Sequence, residues 1–419
     1  MMTLLRQFAF ARYHRFASRD QVQSWQNKQL ERHLQWVCEH SPFYQSLRNQ
    51  PLEAFPIMNK SLMMANLDAI NTRGLKTDQL MSVALKAEQS RQFEQSVVNS
   101  VTVGLSSGTS GQRGLFLADS REKQLWAGNI LGKLLPGLWQ KHRIALALRA
   151  NSPLYKAVAK GPIQFFYADL NQPHDVWIRA LDRFQPTLLI GSAQALQFCA
   201  MYSGTFGERK MSPARLISGA EVLTPVDRAL IEQTFAGELH EVYQCTEGFL
   251  ACTDTQGQMR WNQDIVHIEK HWLNPEKTHY SPIITDFRRR TQPIIRYQLD
   301  DVIAAQHDDA PFEPLGAIAG RCGDCLRLGQ DGAQTMVLPD LVYRAVTLAI
   351  EERVDYRITQ TDTQCLTIEA LPQIHERIRD AVLGVLQTLG AGTVRFEYAP
   401  PPDWHPMNKQ RRVVNLCKF

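Results

Sequence analysis

From residue 115 to residue 287 the chain alternates between short apolar runs and amphipathic stretches. No other feature constrains the fold as strongly. A helix predicted at 121–135 leads to a strand at 144–148. A strand at 165–170 leads to a helix at 176–184 and a strand at 187–190. The pattern continues with a helix at 194–201, a strand at 215–218, a helix at 225–235 and a strand at 239–243. Such alternation predicts an α/β domain with largely parallel strands. Ligands in sheets of this kind gather beyond the carboxyl ends of the strands. The segments that follow predicted strands are therefore expected to share one cleft.

The flanking regions read differently. Ser18-Arg19-Asp20 is set to cap a helix running to residue 39, with Trp25, Leu30, Leu34 and Val37 near helical spacing. Residues 56–60 read as a turn before another helix. From 261 to 305 the pattern is mostly strand (266–268, 283–287, 294–297, 302–304), which predicts a smaller β subdomain. Residues 316–323 are Gly-rich and read as a linker. Helices at 341–352 and 373–389, with strands at 356–361, 365–370 and 394–398, predict a compact α+β domain of about 95 residues. The expected division is a large domain over 1–322 and a small mobile one over 323–419.

One loop stands out within this frame. Val103-Gly104-Leu105-Ser106-Ser107-Gly108-Thr109-Ser110-Gly111-Gln112-Arg113-Gly114 holds four glycines and four hydroxyl residues after a β-branched run. Glycine lets backbone approach a ligand closely. Hydroxyls and successive backbone N–H groups form a concave donor surface for an anion. From this stretch alone a flexible Gly/Ser surface loop reads equally well. A Walker-type loop does not fit, because no lysine follows a glycine here.

Composition narrows the classes. Charged residues are 21% of the chain and its formal net charge is +4, too weak a basic balance to argue for nucleic acid. It is compatible with a polyanionic ligand such as ATP. The eight cysteines are scattered and do not look like a disulfide framework. Cys322 and Cys325 form one CxxC, without the second pair a structural zinc site commonly needs. No apolar run approaches the length of a membrane span. Residues 1–16 make a poor signal peptide, so the expectation is a cytoplasmic protein. That segment is expected to dock on the protein, with a membrane-surface helix as the other reading.

Several short motifs follow in one order along the chain. After the loop come Ser218-Gly219-Ala220-Glu221, Tyr243-Gln244-Cys245-Thr246-Glu247-Gly248, Arg296-Tyr297-Gln298-Leu299-Asp300-Asp301, Gly320-Arg321-Cys322-Gly323-Asp324, and Asn408-Lys409-Gln410-Arg411-Arg412. Together they resemble the adenylate-forming (ANL) superfamily, and within it the branch of phenylacetate–CoA ligase and coenzyme F390 synthetase. The resemblance spans nearly the whole chain. It implies that Ser107, Gly108, Thr109, Ser110 and Gly111 hold the ATP phosphates, with Arg113 adding charge. It implies that Gly219, Ala220 and Glu221 form the adenine-side turn and that Tyr243 stacks on adenine. Thr246 would contact the α-phosphate, and Glu247 would ligate Mg²⁺, which prefers hard oxygen ligands. Asp301 would bind the ribose hydroxyls, Arg321 the nucleotide, and Lys409 would serve adenylation. Gln244, Asp300, Gly323 and Asn408 depart from the family pattern, as do Arg113 and Gly114 beside the loop.

The function implied is ATP- and Mg²⁺-dependent activation of a carboxylic acid to an acyl-adenylate, followed by transfer to a thiol. The branch favours aryl acids, and the thiol is coenzyme A or a carrier-protein pantetheine. Arg149, Asn151 and Tyr155 are candidates for the acid side, where a plain loop reads equally well. Three rivals stay open. One is an adenylyltransferase that leaves AMP on its substrate. The others are a non-catalytic relative and a membrane-peripheral scaffold.

Overall fold

Several helices begin where the sequence supplies a side-chain cap. Ser18 accepts a hydrogen bond from the Gln21 amide and opens α2 (Arg19–His40), which follows α1 (Met2–Tyr13). Asn59 accepts from the Leu62 amide and opens α3 (Lys60–Ala65). Each such bond satisfies one of the donors orphaned at a helix start. The short α4 (Leu67–Ile70) and α5 (Thr77–Ser90) complete the N-terminal region. The computed structural model describes residues 2–106, 114–136, 141–148, 163–329, 335–350, 354–402 and 411–417.

Three antiparallel strands come next: β1 (Val97–Val98), β2 (Val101–Leu105) and β3 (Leu115–Ala118), with Leu105 opposite Leu115. The Gly-rich loop therefore connects two neighbouring antiparallel strands. A reciprocal capping box between Asp119 and Glu122 then starts α6 (Ser120–Leu134).

The predicted alternation is present as a seven-stranded sheet. β4 (His142–Leu148), β5 (Ile163–Asp169), β6 (Leu188–Gly191), β7 (Arg215–Ser218) and β8 (Glu238–Gln244) are all parallel. β9 (Phe249–Thr253) and β10 (Met259–Trp261) extend it antiparallel, giving the order β10-β9-β8-β7-β6-β4-β5. α7 (His174–Phe184), α8 (Ala193–Tyr202) and α9 (Pro225–Thr234) connect the parallel strands. Trp177, Ile178, Leu181 and Leu196 from these helices are buried with Ala147, Leu189 and Leu216 of the sheet. Fully burying one such side chain contributes about 1.5–3 kcal/mol, and this is what holds the helices on the sheet. β7 and β8 are parallel neighbours, so the turns that leave them emerge along the same sheet edge.

The chain divides into two compact units: Met1–Glu269 with Ile283–Gln298 and Gln306–Leu315, and Lys270–Pro282 with Leu299–Ala305 and Gly316–Phe419. The remaining strands are β11 (Val266–Trp272), β12 (His279–Asp286), β13 (Tyr297–Gln298), β14 (Asp301–Ala304), β15 (Ile318–Arg321), β16 (Leu326–Leu328) and β17 (Thr335–Val337). α10 (Pro339–Ala349), β18 (Arg357–Asp362), β19 (Cys365–Glu369), α11 (His375–Thr388), β20 (Arg395–Ala399) and β21 (Val413–Asn415) follow. In the second unit β20-β19-β18-β21 form a four-stranded sheet. Its core joins Ile358, Leu366 and Ile368 to Val342 and Val346 of α10 and Ile378 and Val382 of α11. The α/β class with parallel and mixed sheets is as expected from the sequence.

Two local expectations are corrected. Residues 316–323 are not a plain linker: Ile318–Arg321 is strand β15, paired with β14. Gly320 sits at φ +126°, where a Cβ would come within 2.8 Å of Pro339, so this glycine serves close packing. Residues 294–297 do not form a strand of that length, and pairing is confined to Tyr297–Gln298. The reason is Arg296, which takes φ +44° and turns the chain immediately before the ladder.

Candidate active site

The loop base is defined on both sides. Ser106 N–H donates to the Gly114 carbonyl at 2.8 Å, and Gly114 N–H donates back to Ser106 Oγ at 2.8 Å. These bonds close the mouth of the Gly-rich loop. Ser107, Gly108, Thr109, Ser110, Gly111 and Arg113 themselves lie outside the described residues, as do Arg149, Asn151, Tyr155 and Lys409.

Ser106 and Gly114 face an open pocket with about 300 Å³ of empty space, part of it open solvent. Thr246, Glu247, Lys60 and Gln292 line the same pocket. The structure therefore brings the ends of the phosphate-loop candidate together with the Thr-Glu pair. Thr246 Oγ1 donates to Glu247 Oε2 at 2.9 Å. The backbone here turns tightly, with Cys245 N–H donating to Gly248 O at 3.1 Å. Gly248 is tightly placed: a Cβ there would lie 3.0 Å from Asp286 Oδ2, and the carboxylate would have to shift by a few tenths of an ångström. Burial pushes the Asp286 carboxyl above its usual range, against the pull of Arg289. Burial and the adjacent Glu247 charge push the Cys245 thiol well up, which leaves it a poor nucleophile.

Gly219, Ala220 and Glu221 leave the end of β7. Gly219 N–H donates to Gly191 O at 3.0 Å, and a Cβ there would meet Val242 Cγ2 at 2.8 Å. Ala220 is left-handed at φ +65°, so the turn is held in a conformation that glycine would adopt more readily. Glu221 Oε2 accepts from Gln194 N–H at the start of α8. Tyr243 is half-buried and edge-on to Trp261, with ring centroids 5.9 Å apart.

Asp301 and Arg321 belong to the second unit, opposite one another across β14 and β15, with Arg321 Nε 4.0 Å from Asp301 Oδ1. Burial pushes the neighbouring Asp300 carboxyl up; Arg321 pulls it down and the Asp301 charge adds to the rise. Arg411, two residues beyond Lys409, ion-pairs with the buried Asp324.

Sequence reasoning missed two pocket residues, Lys60 and Gln292, and one residue behind the pocket turn, Arg289. Lys60 is the first residue of α3 and lines the pocket, with its Cε 3.2 Å from where a Cβ on Gly114 would stand. A cation at a helix start lies at the wrong end of the macrodipole, a faint signal that an anion belongs nearby. Gln292 stands in Thr291-Gln292-Pro293, which leads into the Arg296–Asp301 motif, without a role read for it, and no motif marks Arg289.

No protein-family profile matches the chain. CapK of Staphylococcus aureus is 26% identical over 197 residues, a match covering 45% of this chain and 42% of CapK. The match thus spans less than half of CapK's length. Among solved structures, 2-hydroxyisobutyryl-CoA ligase in the postadenylation state, in complex with R3-HIB-AMP, is 17% identical. It aligns over 94% of this chain and 90% of its own, with a TM-score of 0.68. This chain shares the fold of that CoA ligase. An open conformation of the same ligase, in complex with 2-HIB-AMP and CoA, aligns over 94% and 91% at 18% identity with a TM-score of 0.62. Amide bond synthetase McbA from Marinactinospora thermotolerans aligns over 74% and 66% at 14% identity, TM-score 0.53.

The donors of this pocket suit Mg²⁺ and a phosphate chain. Thr246 and Glu247 offer hard oxygens, and one carboxylate plus substrate phosphates is how Mg²⁺ is commonly held. Among the described residues no group of three His, Cys, Asp or Glu side chains could hold an ion alone. Lys60 brings positive charge to the same pocket.

Proposed function

We propose that the chain activates a carboxylic acid with Mg-ATP, releasing pyrophosphate, and passes the acyl group from the acyl-adenylate to a thiol. The observation that carries this reading is the pocket in which Ser106 and Gly114, the two ends of the Gly-rich loop, meet Thr246 and Glu247. Backbone N–H groups of the loop would hold the β- and γ-phosphates. Thr246 would donate to the α-phosphate, and Lys60 and Arg113 would neutralise charge on the chain of phosphates. Glu247 would hold Mg²⁺, which when bound polarises phosphoryl oxygens. Gly219, Ala220, Glu221 and Tyr243 would form the adenine side, and Asp301 and Arg321 would take the ribose and nucleotide.

Lys409 would serve the adenylation step from a small domain, 323–419, that alternates between two poses. Preorganised charges aimed at the reacting phosphoryl group are how such sites gain rate. We further propose an aryl acid as substrate and coenzyme A or a carrier pantetheine as acceptor, in a cytoplasmic setting. These details follow the likeness to acyl-CoA ligases and the branch motifs.

Acid-dependent pyrophosphate exchange into ATP, screened over aryl, aliphatic and amino acids, tests the reading. Exchange with at least one acid is expected, followed by thioester formation when coenzyme A is added. A chain that neither exchanges with any acid nor binds Mg-ATP in calorimetry is not an adenylating enzyme. AMP retained on the acid despite added thiol would favour the adenylyltransferase reading instead.

A further inference from the structure

Thr246 and Glu247 sit on a turn outside any helix or strand, so the ladder of β8 does not fix them. Arg289 does. Its Nη1 donates to the Thr246 carbonyl at 2.9 Å and to the Glu247 carbonyl at 3.3 Å. Its Nη2 donates to Leu117 O and to Gln292 Oε1, both at 3.3 Å. Leu117 belongs to β3, the strand that leaves the Gly-rich loop. Gln292 grips that strand from the same side: its Oε1 accepts from Leu117 N–H at 2.9 Å and its Nε2 donates to Leu115 O at 3.1 Å. Gln292 is 2% exposed, so these bonds are shielded from competing water.

The loop that carries both residues is itself pinned. Glu122 Oε1 accepts from Arg290 N–H at 2.6 Å and from Thr291 N–H at 2.9 Å, while its other oxygen accepts from Asp119 N–H at 2.8 Å in the capping box of α6. One carboxylate thereby fixes the start of α6 and the loop together. A planar guanidinium with donors on two edges is suited to tying two backbone segments at a set spacing, which an ammonium is not.

We infer that Arg289, seated by Gln292 and Glu122, is a positioning residue that sets the distance between the phosphate-loop exit strand and the Thr246–Glu247 turn. The inference rests on the function proposed above. Arg289 acts through Glu247: it places the carboxylate where Mg²⁺ and the phosphates must meet it. Ångström-scale misplacement of a reacting constellation can lower rate by about 10²-fold.

The test is ATP binding by calorimetry, in excess MgCl₂ and in EDTA, for wild type, Glu247→Gln, Arg289→Lys and the double variant. Mg²⁺ should tighten ATP binding in wild type, and Glu247→Gln should lose that gain. Arg289→Lys should lose most of it while its affinity in EDTA stays within about twofold. The double variant should be no weaker than Glu247→Gln alone by more than about twofold, since the two act on one interaction. Arg289→Lys retaining the full Mg²⁺ gain would overturn the inference. So would losses that multiply, or equal losses in EDTA, which would mark a general structural role. Should Arg289→Lys fail to fold, Gln292→Ala loosens the same clamp from the β3 side and should cut the Mg²⁺ gain in the same direction; an unchanged gain there counts against the clamp. A wild type that binds no ATP overturns the functional reading itself, whereas a wild type that binds it with independent variants overturns only the clamp.

Discussion

Arg289 in the first unit and Arg411 in the second are both partly buried arginines next to residues of the predicted site, and they are used in opposite ways. Arg289 gives its donors to backbone carbonyls and one amide side chain. Arg411 gives two donors to one carboxylate, Asp324. The same contrast extends to their neighbours. Around the pocket, Glu122 accepts from backbone amides, and Arg296 donates to the Glu53 and Phe55 carbonyls as well as to Glu269. In the second unit Arg357 pairs with Glu369 across two strands, and Arg321 faces Asp301. The difference follows from what needs fixing. The Thr246–Glu247 turn and the loop at 288–292 have no ladder, so charges are recruited there to hold the chain path. In the second unit β18 and β19 already hold the path, and charge pairs add side-chain register.

The largest break in this comparison should come from Glu247→Gln. Its carboxylate faces the pocket beside Thr246, and the turn beneath it is held by Arg289 through carbonyls that the substitution leaves untouched. Pyrophosphate exchange should fall by roughly 10²–10³-fold, the loss seen on removing one preorganised charge-stabilising group. The melting temperature should hardly move. Wild-type exchange in this variant would remove Glu247 from the site.

Asp324→Ala should do the reverse, because there the charge has a structural partner. Asp324 is 5% exposed and Arg411 keeps about a third of its side chain in solvent. Breaking a buried pair costs about 3–5 kcal/mol, and the partial exposure of Arg411 puts the expected loss near 3. Hydrogen exchange should report it as lost protection at Val413 and Val414, which pair with Ile358 and Thr359. Unchanged protection would mean the β21 pairing stands without the ion pair.

His33 sharpens the comparison from a third side: it is ionisable, 2% exposed, and among the described residues has neither a carbonyl nor a carboxylate against its ring nitrogens. Burial, helped by the Arg290 charge, lowers its pKa to about 3. The folded chain then binds fewer protons than the unfolded one between that value and the ordinary 6.5 of histidine. Stability must therefore rise with pH across this window and fall as pH drops below 6.5. Between pH 7 and pH 5 the loss should be about 2 kcal/mol, at about 1.4 per pH unit. Urea unfolding of wild type and His33→Leu at both pH values isolates it, because other groups titrate in both proteins. Equal losses in the two would show that His33 finds a proton acceptor in the folded state.

Much of this architecture was legible in the sequence, and the gaps share one cause. The strands 215–218 and 239–243 were readable because short apolar runs between amphipathic helices leave few alternatives, and β7 has the very bounds expected. Ser18 announced a helix start through side-chain chemistry local to the chain. Thr246 and Glu247 were found through a motif, and they do lie beside the loop ends. Arg289, Gln292 and Lys60 escaped because their significance is tertiary. Arg289 bonds to Leu117, 172 positions away, and nothing in its own neighbourhood distinguishes it from Arg288 or Arg290. Likewise β15 was hidden under its glycines, since pairing with β14 is a long-range choice that propensity alone does not reveal.

Lys60 gives the smallest predicted effect and the finest test of how charge is apportioned at the pocket. It enters because the chain before it is fastened to β13: Met58 N–H donates to the Arg296 carbonyl and Gln298 N–H to the Met58 carbonyl, both at 2.8 Å. Asn59 then starts α3, which places Lys60 at the pocket wall with Met63 and Met64. A lysine ammonium acts as a point charge on a flexible stem, so its contribution to holding phosphates is less geometric than that of a preorganised fork. Lys60→Ala should therefore raise the KM for ATP about tenfold and leave kcat within a few-fold, the signature of binding shared by ground and transition states. The weakening should shrink as salt rises, since a solvent-open charge is screened. A fall in kcat with KM unchanged would mean that Lys60 bears on the reacting phosphoryl group alone. No change in either would mean that charge from the Gly-rich loop suffices, and that Lys60 serves only to close the wall beside Gly114.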